Sequence, residues 1–116
     1  MVKVFWFLKR AEHLSREEFA DWWLHRHAHD IVRHQGAHLR RYVVNLSAGS
    51  AAPAAGAAEE PEWDGIAEQW FDDEAAYLRA YSIQPSPTRA DTLAHTSRFA
   101  RMVVSEHEYV PAPPAV

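Results

Sequence analysis

Val2-Lys3-Val4-Phe5-Trp6-Phe7-Leu8 is a run of β-branched and aromatic residues, and its reading decides the fold. Such a composition marks a strand. Beyond Lys3, both alternating sets, Val2/Val4/Trp6/Leu8 and Phe5/Phe7, are apolar. A strand of this kind has to be covered on both faces. Helices of a small domain supply one cover, so the other face calls for a second apolar layer.

Downstream of this strand, Ser15-Arg16-Glu17-Glu18 has the form of a capping box, with Ser15 at the N-cap and Glu18 three residues on. Acids in the first turn also suit the helix dipole. Phe19, Trp22, Trp23, Arg26, His27 and Ile31 then recur at three- and four-residue spacing and form one broad helix face. Gly36 is placed to end that helix. Residues 39–46 read as a second strand, with Tyr42, Val44 and Leu46 on one face and Leu39, Arg41, Val43 and Asn45 on the other. Residues 47–61 are rich in Ala, Gly, Ser and Pro without periodicity, which predicts a mobile loop.

Residues 63–71 make a third strand, and Asp72-Asp73 can cap a helix over 74–81. Ser86-Pro87 opens a further helix, with Pro at its first position and with Ala90, Leu93, Ala94 and Ser97 on the inward side. Residues 102–110 are the fourth strand, and residues 111–116 are a Pro-rich tail. The order is β-α-β-β-α-β, the split βαβ arrangement of the ferredoxin-like α+β class. It predicts a four-stranded antiparallel sheet with both helical segments on one face. The bare face then packs on a second copy, giving a homodimer joined sheet to sheet.

A length of 116 residues fits one domain, taken as residues 1–110. A hydrophobic share of 47% argues for a packed core, and five Trp, five Phe and four Tyr supply bulky walls for it or for a pocket. The net charge of −4 argues against a nucleic-acid partner, which asks for a basic face. The chain has no cysteine, hence no disulfide framework and no thiolate metal site. Residues 2–8 are too short for a signal segment or a membrane span. A cytoplasmic protein without membrane partners is expected.

Leu14-Ser15-Arg16-Glu17-Glu18-Phe19, Trp23-Leu24-His25-Arg26-His27-Ala28, Leu39-Arg40-Arg41-Tyr42-Val43-Val44-Asn45, Asp64-Gly65-Ile66-Ala67-Glu68-Gln69-Trp70-Phe71, Asp91 and Phe99 follow one another at family-like spacing. Through these residues the chain resembles the EthD family of the dimeric α/β-barrel superfamily. Its specific parts are the helix ending in Trp-x-x-x-His-Ala and the Arg-Tyr-Val of the second strand. His29-Asp30-Ile31-Val32 departs from the apolar or proline-containing stretch usual there, and the Ala-rich loop is a second departure. The resemblance implies cofactor-independent acid–base chemistry on a small enolisable cyclic or aromatic acid, a lactone or a polyketide intermediate. Isomerases, cyclases and oxygenases fall within its reach. A non-catalytic dimeric protein that binds such a compound is the alternative.

His27 continues the Phe19–Trp23 line, so its imidazole is expected to point at the sheet. It reads either as a buried structural group or as a general base, and the resemblance implicates this histidine. Tyr42, central on the second strand, reads as a core phenol or as a donor to an enolate. Trp6, Trp23, Arg41, Asn45 and Trp70 are the candidate substrate contacts, and Trp22 and Phe71 are further wall candidates. Arg40 and Arg41 read as holders of a substrate carboxylate or as sheet-edge cations in water. Asp91 reads as structural. The pairs His25/His29 and His34/His38 have helical metal-ligand spacing but lack the accompanying acid and third histidine, so solvated histidines are the better account. No phosphate loop, nucleophile elbow or dinucleotide fingerprint is present, and no cofactor or metal is expected.

Overall fold

A computed structural model describes residues 1–48 and 61–114 of the chain. The first strand, β1, runs Val2–Arg10. It is followed by helix α1 (Arg16–Trp22), a π-helical turn (Trp23–His27) and helix α2 (Ala28–Gln35). Strands β2 (Leu39–Leu46) and β3 (Gly65–Phe71) come next. Helices α3 (Glu74–Ala80) and α4 (Arg89–His95) and strand β4 (Thr96–Val104) complete the order. The mobile loop expected over residues 47–61 falls, apart from its ends, outside the described residues.

The four strands are antiparallel in the order β2-β3-β1-β4. The protein is thus an α+β domain of the ferredoxin-like class, with its helices on one side of the sheet. Leu8 and Ala67 pack beneath Phe19, Trp22 and Trp23 in one buried cluster. Val4 and Phe71 form another beneath Ala76 and Ala80 of α3. The starts of α1 and α3 are fixed by side chains. Ser15 Oγ accepts from the Glu18 N–H at 3.1 Å while Glu18 Oε1 accepts from the Ser15 N–H at 3.0 Å, and Asp73 caps α3 through the Ala76 N–H at 2.8 Å.

The π-helical turn keeps His27 over the sheet. Four-residue steps in an α-helix overshoot a full turn by about 40°, so a line through Phe19, Trp23, His27 and Ile31 would drift off the core. A turn closed by i→i+5 bonding, here the Ala28 N–H to the Trp23 carbonyl, rotates less per residue and reverses that drift. All four residues are buried in consequence, whereas Arg26, expected on the same face, is exposed. Gly65 permits the close approach of this segment, because a Cβ there would stand 2.5 Å from the Trp23 ring.

Several boundaries differ from expectation: β3 starts at Gly65, not at residue 63, and the last helix starts at Arg89 after a turn that holds Pro87, so Pro87 is not its first residue. The fourth strand begins at Thr96, not at residue 102, and residues 105–110 are not strand. Thr96 is already extended (φ −124°, ψ 145°) while its Oγ1 donates to the Thr92 carbonyl at 2.7 Å, so helix and strand share a junction with no loop. The inward side of α4 is polar: Leu93 is 51% exposed and Ala90 and Ala94 are exposed, while Asp91, Thr92 and His95 face the fold. An apolar-periodicity reading selects the wrong side of a helix whose inner face makes hydrogen bonds.

The other side of the sheet carries Phe5, Phe7, Val43, Ile66, Trp70 and Met102, as register and alternation require. Met102 is 53% exposed. No helix of the described residues is long and apolar enough to cross a membrane.

Candidate active site

A cavity of about 220 Å³ lies between the helices and the sheet. Trp6, Leu8, Tyr42, Ala67, Gln69 and Phe99 contribute from the strands, and Trp23, His27, Ile31 and Gln35 from the helical segment above. Residues 81–92 close the side with Tyr81, Ser86, Arg89 and Thr92 among others, and Arg101 of β4 completes the lining.

His27 is 7% exposed. Its Nδ1 is buried without a hydrogen-bond partner and faces Asp91 Oδ2 at 3.7 Å. The His27 ring also lines the cavity. The Trp22 ring stacks on His27 at 4.7 Å and on His95 at 4.5 Å, and Trp22 Nε1 donates to Asp91 Oδ2 at 3.0 Å. His95 Nδ1 lies 3.3 Å from Asp91 Oδ1. Burial pushes the His27 pKa below 6.5, and the Asp91 carboxylate opposes that shift only in part. The ring is therefore neutral near pH 7, the form that accepts a proton.

Tyr42 is shifted the other way. Burial raises its phenol above the usual 10, with Trp23 partly offsetting the effect, so the hydroxyl keeps its proton and can donate. The Trp23 indole N–H is the buried group that acts on this hydroxyl.

A hydrogen-bonded cluster holds the cavity in shape. Gln69, 1% exposed, accepts at Oε1 from Trp6 Nε1 at 3.0 Å and from the Tyr81 hydroxyl, and donates from Nε2 to Gln35 Oε1 at 2.6 Å. Trp6 Nε1 also reaches the Tyr81 oxygen at 2.9 Å, and Gln35 Nε2 donates to the Ala80 carbonyl at 3.4 Å. Burial pushes the Tyr81 phenol up to about 12. Four elements and the turn after α3 are joined through these groups.

Of the residues singled out in the sequence, His27, Tyr42, Trp6 and Trp23 share the cavity. Arg41, Asn45 and Trp70 do not line it. They occupy the opposite face of the sheet, where the Arg41 guanidinium sits 5.0 Å and the Lys3 ammonium 4.3 Å from the Trp70 ring. Asn45 Nδ2 donates there to the Ile66 carbonyl and to Glu68. Strand alternation is the reason: Tyr42 pairs with Gln69, so the odd-numbered residues of β2 and the even-numbered ones of β3 point away from the helices. Phe71 and Trp22 are core, and Arg40 pairs with Asp72 at 3.3 Å on the surface. Gln35, Gln69, Tyr81, Asp91 and Arg101 were not foreseen as site residues. Asp91 and Gln69 stood within the quoted motifs, but nothing in their spacing marked them as partners of His27 or Trp6. Among the described residues no group of three or more His, Asp or Glu side chains could hold a metal ion.

Sheet order, roofing helices and a histidine-bearing cavity together define a ferredoxin-like α+β domain with a cavity between its helices and its sheet. The chain belongs to the EthD family: the family model described as the EthD domain matches residues 11–100. An EthD-family protein from Bacillus halodurans superposes with a TM-score of 0.69 at 19% identity, over 92% of this chain and 99% of that one. SnoaB, a cofactor-independent oxygenase from Streptomyces nogalater, gives 0.59 at 18% identity over 96% of each chain. A dimeric ferredoxin-like protein from Bacteroides fragilis gives 0.60 at 14% identity, over 90% of this chain and 95% of that one. No curated protein sequence matches the chain.

Proposed function

We propose that the protein is a cofactor-independent enzyme of catabolic or secondary metabolism, moving protons on a small enolisable cyclic or aromatic compound. The observation that carries this is the neutral, cavity-facing imidazole of His27 with Asp91 at its back and the protonated Tyr42 in the same cavity. In the proposed step the C–H bond beside a substrate carbonyl breaks, and its proton goes to His27 Nε2. The electron pair moves into the carbonyl to form an enolate, which the Tyr42 hydroxyl stabilises by a hydrogen bond. Return of the same proton from His27 to another carbon of the conjugated system completes an isomerisation or prepares a cyclisation. SnoaB supports the reading, since its name records chemistry without a cofactor on this fold.

Hydrogen exchange tests it directly. Enolisable cyclic ketones, lactones and β-keto acids are incubated with the protein in D2O and followed by NMR. Deuterium is expected at the carbon beside the carbonyl, about 10²–10⁴ times slower with His27→Ala. Equal exchange by wild type and His27→Ala rejects the role of His27, and a bound but unexchanged compound turns the protein into a binding module.

The protein works as a homodimer in this reading, with the apolar sheet face that holds Phe5, Phe7, Ile66 and Trp70 packed on a second copy. The dimeric relative from Bacteroides fragilis supports pairing. The cysteine-free sequence suits a cytoplasmic setting.

A further inference from the structure

We propose that the cavity is built for a small aromatic carboxylate, with Arg101 and Arg89 as its anion-binding pair. This rests on reading the cavity as the substrate site. Arg89 and Arg101 line it, and among the described residues no Asp or Glu does. The chain as a whole has 16 acidic against 12 basic residues, so the cavity carries the sign opposite to that of the molecule. Asp91, behind His27, turns its oxygens to Trp22, His27 and His95.

Neither arginine forms an ion pair among the described residues. Arg101 is held by rings instead: its guanidinium carbon stands 5.5 Å from the Trp6 centroid, 5.6 Å from that of Tyr81 and 5.9 Å from that of Tyr77. Aromatic faces fix the plane of a guanidinium without neutralising it, which leaves its donor edge for a carboxylate in the two-pronged geometry that arginine favours.

Size and position narrow the ligand. An apolar cavity of about 150 Å³ is enough for benzene, so 220 Å³ suits a single ring with polar substituents. Arg101 is on β4 opposite Trp6, and Tyr42 is on β2 opposite Gln69. Three strand spacings across the sheet and two residues along it separate them, about 16 Å between backbones. Both side chains are long and reach inward, so a ring can bridge the gap with its carboxylate at Arg101 and its reacting carbon toward His27 and Tyr42.

Benzoate and its neutral isostere benzamide are the probes, titrated by NMR into wild type, Arg101→Gln, Arg89→Gln and the double variant. Wild type is expected to bind benzoate about tenfold or more tightly than benzamide, with added salt weakening benzoate alone. Arg101→Gln should bring that ratio close to one, and Arg89→Gln should lower it. Arg101 and Arg89 are exposed, so their replacement leaves the core intact, and unchanged thermal unfolding checks this. No benzoate binding at millimolar concentration, or a ratio unaffected in the double variant, overturns the proposal. Binding is measured without turnover, so the two readings fail separately. A lost anion preference with intact His27-dependent exchange removes only the carboxylate site. An intact preference without exchange on any substrate upholds that site and removes only the acid–base reading.

Discussion

Trp22 Nε1 donates a 3.0 Å hydrogen bond to Oδ2 of Asp91, and through this contact α1 and α4 are tied together behind His27. The same oxygen faces His27 Nδ1 at 3.7 Å. Asp91 is thus held by one aromatic residue while its carboxylate faces another, and in the proposed reading it stands where a carboxylate behind a general base would. Four predictions follow from this arrangement and its surroundings, each with its own measurement.

Asp91→Asn keeps an acceptor for Trp22 and removes the charge beside His27. Asp91 raises the His27 pKa against the larger effect of burial, so its neutralisation should lower that pKa further. NMR titration of the His27 ring measures this, and an upward or absent shift contradicts the role given to Asp91. Misorientation of the base should slow His27-dependent exchange by up to about 10²-fold.

His27 should also leave a mark on stability. Its folded-state pKa lies below 6.5, so between the two values the unfolded chain binds a proton that the folded chain refuses. Stability tied to neutral His27 is complete above pH 6.5 and is lost as the pH falls through the folded pKa. His27→Gln should flatten the decline in unfolding free energy below that pH, as read by denaturant titration at several pH values. The rate of proton exchange should rise with pH and level off, with an apparent pKa below 6.5.

Tyr42→Phe should keep the ring packed on the core while deleting the donor. The phenol stays protonated through the working range because burial raises it. Loss of a donor to a developing oxyanion typically lowers kcat by about 10²–10³. KM should change little, and a pure KM effect would make Tyr42 a wall of the cavity and nothing more.

Gln69→Leu should destabilise the fold far more than a surface change. It removes the acceptor of Trp6 and Tyr81 and the donor to Gln35 at a position that is 1% exposed. Each buried polar group left without a partner costs about 1–3 kcal/mol. A fall in Tm of a few degrees or more is expected, together with weaker ligand binding because Trp6 and Tyr81 wall the cavity. Unchanged unfolding would show that the cluster does not hold the cavity.

Local chemistry settled much of this protein in advance. The two apolar sides of residues 2–8, the Ser15–Glu18 capping box and the four-residue line through Phe19, Trp23 and His27 depend only on neighbours in sequence, and they led to the β-α-β-β-α-β order and to the helix-borne histidine. Alternation alone put Tyr42 on the side of β2 opposite Arg41 and Asn45.

Which side of each strand meets the helices depended on tertiary packing. On β3, bulk points the wrong way: Trp70 and Ile66 look like core, yet Gly65, Ala67 and Gln69 face inward because the Trp23 ring presses close to that strand and leaves room only for small or hydrogen-bonded residues. Asp91 stands 64 positions from His27 in the chain, so no periodicity could join them. The docking of α4 against α1 did that, and with it set the Asp91 carboxylate beside His27 Nδ1. Arg101, just before the strand expected over 102–110, became a wall of the cavity only when β4 paired with β1 and set it opposite Trp6. Helix and strand periods are short-range properties of the backbone, whereas the meeting of distant polar groups is fixed by the register of the sheet and the packing of helices upon it.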